Sequence, residues 1–327
     1  MDVLDELNPQ KKAKSLPFNN LYLNSGVVHG ANQVWMYLLT LTFLVTGYVL
    51  FQSIILFPLM DALLNNGYTR EQIFENSNLL FDSEALRMDK NIILLLELGM
   101  FVFAFLGFFL GLRLIHKKPL ISVLSGYEKF RFRRFWFAFT VWGSMIAILV
   151  FLEYFFAGGD LKLTFNPLGM LVSCLIMLVF MPIQTSIEEI IFRGYLVQGL
   201  SQIFKNGIIP LVITSLVFGL AHMSNPEVTQ YGWPIMLTYY CMFAVFMGVI
   251  VLLDEGLELA LGIHFANNFI SSVLVSSSHS VIKTYSLFET KQEDPYSEIL
   301  SWLLMAILAF LIFLYKYRWK NFKLILK

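Results

Sequence analysis

Of the 327 residues, 57% are hydrophobic and only 14% are charged, against about 25% charged residues in a typical soluble protein. Basic and acidic residues balance at a net charge of zero, so the strongly basic field of a nucleic-acid-binding protein is excluded. The two cysteines, Cys174 and Cys241, stand apart in apolar stretches, which argues against a disulfide framework and a thiolate metal site. This composition predicts an integral membrane protein.

Eight apolar segments approach the length of about 20 residues that a helix needs to cross the bilayer core. They predict an all-α polytopic membrane protein, because lipid does not tolerate an unpaired backbone and no ten-residue alternation suggests a barrel. The fifth segment is short and the seventh carries polar side chains. The predicted spans cover 34–60, 91–115, 135–157, 167–192, 208–223, 233–253, 258–276 and 298–315.

The distribution of lysine and arginine orients these spans. Sixteen of these residues fall on one side of the predicted membrane and six on the other, while Arg193 lies within a span. Because basic loops remain in the cytoplasm, we expect both termini to be cytoplasmic. The basic, aromatic stretch 131–139, "RFRRFWFAF", is expected to form an interfacial belt at the start of the third span.

The longest external connection covers 61–90. Thr69 and Gln72 are spaced as a capping box, which predicts a short surface helix ahead of "IFENSNLLF". We expect this segment to act as a structural cover or lid. No internal repeat or linker of soluble-domain length divides the chain, so a single domain is predicted.

Charged side chains within the fourth span are the least expected feature of the chain. A charged residue at the bilayer centre costs about 2.5 to 3.5 kcal/mol, so Glu188, Glu189 and Arg193 in "EEIIFRG" indicate function. Glu189 precedes Arg193 by four residues, the favourable order for a helical ion pair. Glu188 points about 100° away on the helix and is left as the candidate for chemistry.

Two further pairs have helical spacing. Phe218 and His222 in "FGLAH" share one face, as do His264 and Asn268 in "HFANN". Counting about 1.5 Å per residue from the turn near 205–207 places Glu188 and His222 level, about 25 Å deep. The same count places the third pair about 12 to 18 Å deep, a turn or two too shallow. The expected result is a polar chamber within the membrane.

Two chemistries fit these residues. A carboxylate beside an imidazole can take a proton from water, while a second imidazole and an amide stabilise an oxyanion. Alternatively, Glu188, His222 and His264 form a possible three-ligand set for a divalent metal, zinc above all, with an open water position. The spacing does not decide between them, because the chain contains no HExxH motif.

The three motifs, taken in order, resemble EExxxR, FxxxH and HxxxN of the CPBP family. This family includes CAAX prenyl proteases of the Ras-converting type and bacteriocin-processing or Abi proteins, and the resemblance covers about 170–275. It implies an intramembrane endopeptidase in which Glu188 activates water with assistance from His222. Its further implications are that His264 and Asn268 hold the oxyanion, that Glu189 and Arg193 support the site, and that Phe218 shapes it. The family is commonly described as metalloproteases, and a metal-free glutamate mechanism is also argued for it.

The apolar pattern, the charge distribution and, for the core, the resemblance together set the expected organisation and setting of the chain. They imply a multi-pass protein of a bacterial cell (inner) membrane that cleaves a membrane-embedded or lipidated peptide or protein. The predicted parts are a cytoplasmic segment 1–33, transmembrane helices over 34–160, a CPBP-like catalytic core over 161–280, and the last helix with a basic tail over 281–327.

The alternative is a proton-coupled transporter, or an immunity or scaffold protein without catalysis. Transporters are built from related halves with interrupted helices, and no such repeat is found, although Pro182 and Pro210 flank the site. Asn267 is expected to be a helix-contact residue. The acidic residues Asp254, Glu255 and Glu258 predict a solvated turn that complements the start of the seventh helix.

Overall fold

The computed structural model describes residues 16–157, 161–277, 280–290, 294–320 and 322–325. The first fifteen residues, which make up nearly half of the predicted 1–33 segment, and His279 lie outside the described residues. Apart from three short strands, the described elements are helical. The helices are α1 Leu21–Val28, α2 Val34–Asn65, α3 Arg70–Glu75, α4 Ser83–Leu86, α5 Lys90–Gly111, α6 Ile121–Leu124, α7 Phe132–Leu152, α8 Pro167–Glu189, α9 Leu196–Phe204, α10 Ile208–Ala221, α11 Pro226–Tyr231, α12 Trp233–Asp254, α13 Glu258–Leu274 and α14 Pro295–Tyr317.

The membrane class predicted from composition is confirmed. Within the described ranges, six continuous helices are long and apolar enough to span a bilayer. They cover Val34–Asn65, Lys90–His116, Phe132–Phe156, Pro167–Phe204, Trp233–Asp254 and Pro295–Tyr317. The other two predicted spans are also helical but shorter, with 14 residues in α10 and 17 in α13.

The short helix α13 occupies the centre of the bundle, where it packs mainly against α7 and α8. Its first nine residues, from Glu258 to Ala266, are all buried. Gly262 allows the close approach of α7, since a Cβ at this position would lie 2.2 Å from the carbonyl oxygen of Phe135. Burial within protein explains how this helix can carry polar side chains without exposing them to lipid.

The helix that begins as α8 continues through an irregular segment into α9. A π-helix, Ile190–Tyr195, follows directly after Glu189, and Pro182 lies nearly two turns before the glutamates. Proline removes a hydrogen bond from the helical ladder, and a π-turn widens it, so both bend or shift the helix. The two irregularities therefore bracket the part of the chain that carries Glu188 and Glu189.

The connection predicted over 61–90 forms a small cap of its own. The predicted capping box is present: Thr69 Oγ1 accepts from Gln72 N at 3.3 Å, and Gln72 Oε1 accepts from Thr69 N at 2.9 Å. Ile73 of α3 and Leu86 of α4 pack with Leu63 near the end of α2. The segment thus covers one end of α2 and α5 with apolar contacts.

A three-stranded sheet lies at the C-terminal end of α13. Its strands are β1 Lys162–Leu163, β2 Val275–Ser277 and β3 Phe288–Thr290, in the order β1-β3-β2. β3 pairs antiparallel with β1 and parallel with β2. The seventh span, predicted to run to 276, therefore ends at Leu274, where the chain turns into a strand.

The prediction of a solvated turn at 254–258 is wrong for two of its three acidic residues. Asp254 is 2% exposed and Glu258 is fully buried, although Glu258 does lie in the first turn of α13. Arg131 Nη2 lies 3.0 Å from Asp254 Oδ2 and 2.7 Å from Glu258 Oε2. Arg134 also pairs with Asp254, whose Oδ1 accepts from Trp319 Nε1 at 3.2 Å.

These five side chains are named the basic-end cluster: Arg131, Arg134, Asp254, Glu258 and Trp319. They come from the start of α7, the end of α12, the start of α13 and the residue pair after α14. The turn is buried because four chain segments meet there, which a local reading of polarity does not show. Two of the three arginines of "RFRRFW", Arg131 and Arg134, therefore face protein carboxylates, whereas Trp136 remains 54% exposed as expected of an interfacial belt.

Candidate active site

The predicted ion pair within "EEIIFRG" is present in the structure. Arg193 Nη1 lies 3.0 Å from Glu189 Oε1, and both side chains are buried. The same oxygen accepts from His264 Nδ1 at 2.7 Å, so Glu189 joins α8 to the central helix α13. Burial of a charge is tolerated when it is paired and hydrogen-bonded, which this arrangement achieves through Glu189 Oε1, while Oε2 has no hydrogen-bond partner among the described residues.

Glu188 occupies a different environment. Its side chain is 15% exposed, and its Oε2 lies 3.6 Å from His264 Nε2, which is beyond hydrogen-bonding distance. Its Oε1 accepts from Gln184 Nε2 at 2.5 Å. His264 thus stands between the adjacent glutamates, with one ring nitrogen toward each. Glu188, Glu189, Arg193 and His264 are named the chamber cluster.

The predicted depth mismatch of the third motif is absent. His264 lies level with Glu188 and Glu189, and Asn268 Nδ2 reaches Gln184 Oε1 at 3.2 Å, one turn further along both helices. The depth count assumed a uniform rise from the turn near 205–207. The π-helix Ile190–Tyr195 lies within that stretch, and its i→i+5 bonds place more residues in each turn.

His222 lies at the C-terminal end of α10, partly buried. Its Nδ1 lies 2.8 Å from the carbonyl oxygen of Phe218, and its ring packs against Phe218 at 4.3 Å and Tyr240 at 4.8 Å. No hydrogen bond or ion pair joins His222 to Glu188 in the part of the chain that the structure describes. The carbonyl contact assigns the hydrogen to Nδ1 and leaves Nε2 as the free ring nitrogen.

The three-ligand metal set of Glu188, His222 and His264 is not assembled. Among the described residues, no three His, Cys, Asp or Glu side chains converge as a metal site requires. Nδ1 of each histidine is already hydrogen-bonded, to Glu189 in His264 and to the carbonyl oxygen of Phe218 in His222. Nε2 is therefore the ring nitrogen that each could offer, and these atoms do not converge with Glu188. The donor atoms therefore do not fit the predicted zinc site.

Phe218 lies where it can support Arg193. The guanidinium carbon of Arg193 is 4.1 Å from the centre of the Phe218 ring and 5.9 Å from that of Phe243. A desolvated arginine over an aromatic face gains about 2 kcal/mol or more. Phe243 also meets the ring of His264 edge-on at 5.3 Å. The aromatic pair thus contacts both partners of Glu189.

Sequence reasoning missed three residues of this region. Gln184 bonds Glu188, Phe243 contacts Arg193 and His264, and Tyr240 packs on His222. Gln184 carried a signal, because it is a polar residue within an apolar span, four positions before Glu188. The aromatic residues had none, since "YYCMFAVFM" is indistinguishable from a stripe that faces lipid.

A further carboxylate lies behind His222, on α11. Glu227 Oε1 accepts from Tyr240 Oη at 2.5 Å, and Asn225 Nδ2 donates to the same hydroxyl at 3.0 Å. Burial raises the pKa of Glu227 above its usual range, against the opposing effect of the hydrogen bond from Tyr240. This group holds the ring that packs on His222 in place.

Comparison with known proteins adds a family to this geometry. A family model described as type II CAAX prenyl endopeptidase Rce1-like matches residues 167–270, which contain all three motifs. The chain is also similar to the uncharacterized protein YyaK of Bacillus subtilis (strain 168). The two are 27% identical over 271 residues, which cover 82% of this chain and 87% of YyaK. No solved structure matches.

Proposed function

Residues 167–270, the core of this chain, match the Rce1-like family of type II CAAX prenyl endopeptidases, as the three motifs predicted. We propose that the protein hydrolyses a peptide bond of a membrane-associated substrate. In this proposal Glu188 activates the attacking water. The observation that carries it is the position of Glu188 Oε2, partly exposed and 3.6 Å from His264 Nε2.

The choice of Glu188 over Glu189 rests on the hydrogen bonds of each. Glu189 is fully buried, and its Oε1 accepts from both Arg193 and His264. A carboxylate held in this way by two donors is a poor proton acceptor. Glu188 instead has one oxygen held by Gln184 and the other facing the chamber. It is therefore the carboxylate that can reach a water.

The proposed reaction needs no covalent intermediate. A water about 2.8 Å from Glu188 Oε2 would satisfy ordinary hydrogen-bond geometry. Glu188 takes a proton from this water as the water oxygen attacks the scissile carbonyl carbon. The carbonyl oxygen becomes an oxyanion, and when the C–N bond breaks the proton passes from Glu188 to the departing nitrogen. His222 assists the water through its free Nε2.

Oxyanion stabilisation is assigned to His264 and Asn268. Glu189 accepts from His264 Nδ1, so an imidazolium at this position would have Nε2–H free to donate. Asn268 Nδ2 carries a second hydrogen beyond the one given to Gln184. Such donors typically contribute about 10² to 10³-fold each in rate.

No step of this proposal passes through a metal, because the described residues do not assemble the three-ligand set. The proposed substrate is a membrane-embedded or lipidated peptide, including one with a prenylated C-terminal CAAX sequence, as the family name indicates. The proposed setting is a bacterial cell membrane with both termini in the cytoplasm. A transporter or scaffold would leave such a peptide intact.

The test is peptide hydrolysis by purified protein in lipid, with a farnesylated CAAX peptide and its unprenylated counterpart. We expect Glu188→Gln to lose at least about 10²-fold in rate, because the side chain keeps its size and loses only its basicity. Glu128→Gln, the same change at an exposed loop position, serves as the control and should remain active.

Two results would contradict the proposal. Equal turnover by the wild type and Glu188→Gln would remove Glu188 from the chemistry, and a misfolded Glu188→Gln protein would make this carboxylate structural. Metal analysis and chelator treatment of the same sample test the remaining point. Activity that is lost on chelation and restored by zinc would overturn the metal-free route.

A further inference from the structure

A chain of amide hydrogen bonds connects Glu188 to the neighbouring helix α7. Trp142 Nε1 donates to Asn267 Oδ1 at 3.1 Å, and Asn267 Nδ2 donates to Asn268 Oδ1 at 3.2 Å. Asn268 Nδ2 donates to Gln184 Oε1 at 3.2 Å, and Gln184 Nε2 donates to Glu188 Oε1 at 2.5 Å. The chain therefore links α7, α13 and α8.

The two ends of this chain fix its direction. An indole nitrogen can only donate a hydrogen bond, and an ionised carboxylate can only accept one. Between Trp142 and Glu188, each of the three amides must therefore accept with its oxygen and donate with its nitrogen. Reversing any one of them would set two donors or two acceptors against each other. The orientation of Gln184 and Asn268 thus follows from chemistry at both ends.

Gln184 holds the decisive position, because it is the member of the chain that touches Glu188. It is 6% exposed, so the loss of its partners would leave a buried polar group unsatisfied. Because Gln184 bonds Glu188 Oε1, the other oxygen of this carboxylate, Oε2, is the one that faces His264. Gln184 Oε1 accepts one hydrogen of the Asn268 amide, and the other hydrogen of that amide can donate to an oxyanion.

We propose that Gln184 is a positioning residue that aligns the water-activating carboxylate of Glu188 with the oxyanion donor Asn268. This inference rests on the proposed function and adds a residue to it. Gln184 touches neither the water nor the scissile bond in this scheme. It fixes the relative orientation of two groups that do, and misplacement of reacting groups by about 1 Å can cost about 10²-fold in rate.

A purely structural role is the competing explanation, since amide bonds between helices also stabilise membrane bundles. The two roles differ in what they change. A structural contact contributes to stability and leaves the turnover of the folded protein intact. A positioning contact changes kcat while substrate affinity is retained, and its effect depends on the presence of Asn268.

The chain offers a matched control in Gln198, another buried glutamine. Gln198 Nε2 donates to the carbonyl oxygens of Tyr22 and Ser122, away from the chamber cluster. Methionine has nearly the length of glutamine without its hydrogen bonds. The test therefore compares kcat, KM and thermal unfolding of Gln184→Met with those of Gln198→Met, with the unprenylated and farnesylated peptides as substrates.

We expect Gln184→Met to lower kcat by about 10- to 100-fold, the value of a hydrogen bond to a charged group, with KM little changed. Gln198→Met should lower the melting temperature and keep its kcat. In an Asn268→Ala background, the further loss in kcat from Gln184→Met should be smaller than in the wild type, because the aligned partner is already gone.

Three outcomes would overturn the inference. In a protein whose Glu188→Gln variant is inactive, wild-type kcat in Gln184→Met would show that the alignment is unnecessary. Equal stability losses in both methionine variants, with kcat unchanged, would assign Gln184 a structural role. Fully multiplicative effects of Gln184→Met and Asn268→Ala would show that the two residues act independently. An active Glu188→Gln variant would instead remove the proposed function itself.

Discussion

The chamber cluster and the basic-end cluster both bury opposite charges between helices, but they differ in how completely their carboxylates are bonded. At the basic end, Arg131 contacts both oxygens of Glu258, and both oxygens of Asp254 accept from Arg131, Arg134 or Trp319. In the chamber cluster, Glu188 Oε2 has His264 at 3.6 Å as its partner. A saturated carboxylate holds structure together, whereas an incompletely bonded carboxylate that is also open to the chamber can exchange protons with water.

Burial and access to the chamber separate the adjacent glutamates of the fourth span. Glu189 is fully buried, and its Oε1 accepts from Arg193 and His264, while its Oε2 has no hydrogen-bond partner among the described residues. Glu188 is one residue away and keeps an oxygen toward the chamber. Proximity in sequence therefore says little about role here, because burial closes off Glu189 whereas Glu188 is partly exposed to the chamber.

The largest expected effect comes from Glu189→Gln, which would leave Arg193 buried without its carboxylate and would weaken the hydrogen bond that holds His264. Breaking a buried pair in this way costs about 3 to 5 kcal/mol, and the less firmly held histidine should also reduce activity. Thermal unfolding and peptide hydrolysis of the same preparations measure both effects.

Glu188→Gln is the matched control for this variant, since it makes the same chemical change one residue earlier. It should lose activity while it keeps the melting temperature of the wild type. A Glu189→Gln protein as stable as the wild type would break the comparison, because Glu189 would then not be a supporting residue.

A smaller effect is expected for Asp254→Asn at the basic end. Arg131 keeps both contacts to Glu258, so the loss should approach that of hydrogen bonds to a charged group, about 1.5 to 3 kcal/mol of unfolding free energy. The folded variant should retain peptide hydrolysis. Loss of activity at unchanged stability would mean that the basic-end cluster also positions α13 and its histidine.

Much of the fold and part of the site could be predicted from sequence, for identifiable reasons. The membrane class follows from apolar length, and the contact between Glu189 and Arg193 follows from helical spacing. The depth of His264 could not be predicted by counting residues, because the π-helix after Glu189 and the level at which α13 enters the bundle both depend on packing and have no simple sequence signal.

Two other features escaped prediction because they are long-range. Asp254 and Glu258 look like a solvated turn in sequence, and only the arrival of Arg131 across more than a hundred residues buries them. Gln184 was not predicted as a site residue, because its amide is uncharged and the ionisable residues of a span carry the stronger functional signal. Its importance comes from Asn268, 84 residues away.

The smallest predicted effect concerns the surface pair Lys283 and Asp82, which joins the segment before β3 to the 61–90 cap at 2.6 Å, with each side chain 27% exposed. Burial would raise the pKa of Asp82, but the hydrogen bond from Lys283 and those from backbone amides outweigh it, so this pKa lies below its usual value. The carboxylate therefore stabilises the folded state above its unfolded pKa, and that contribution disappears as the pH falls through its folded pKa.

Replacing Lys283 with glutamine should cost about 0.2 to 1 kcal/mol near pH 7, the range of partly exposed pairs. Because Asp82 becomes protonated in acid, the difference in melting temperature between wild type and Lys283→Gln should shrink as the pH is lowered. Asp82→Asn should remove the pH dependence of that difference, which unfolding scans of the single and double variants can measure. If the difference in melting temperature persists in acid, Lys283 stabilises the cap by packing its alkyl chain. The contrast between this partly exposed pair and the two buried clusters is then one of packing rather than charge.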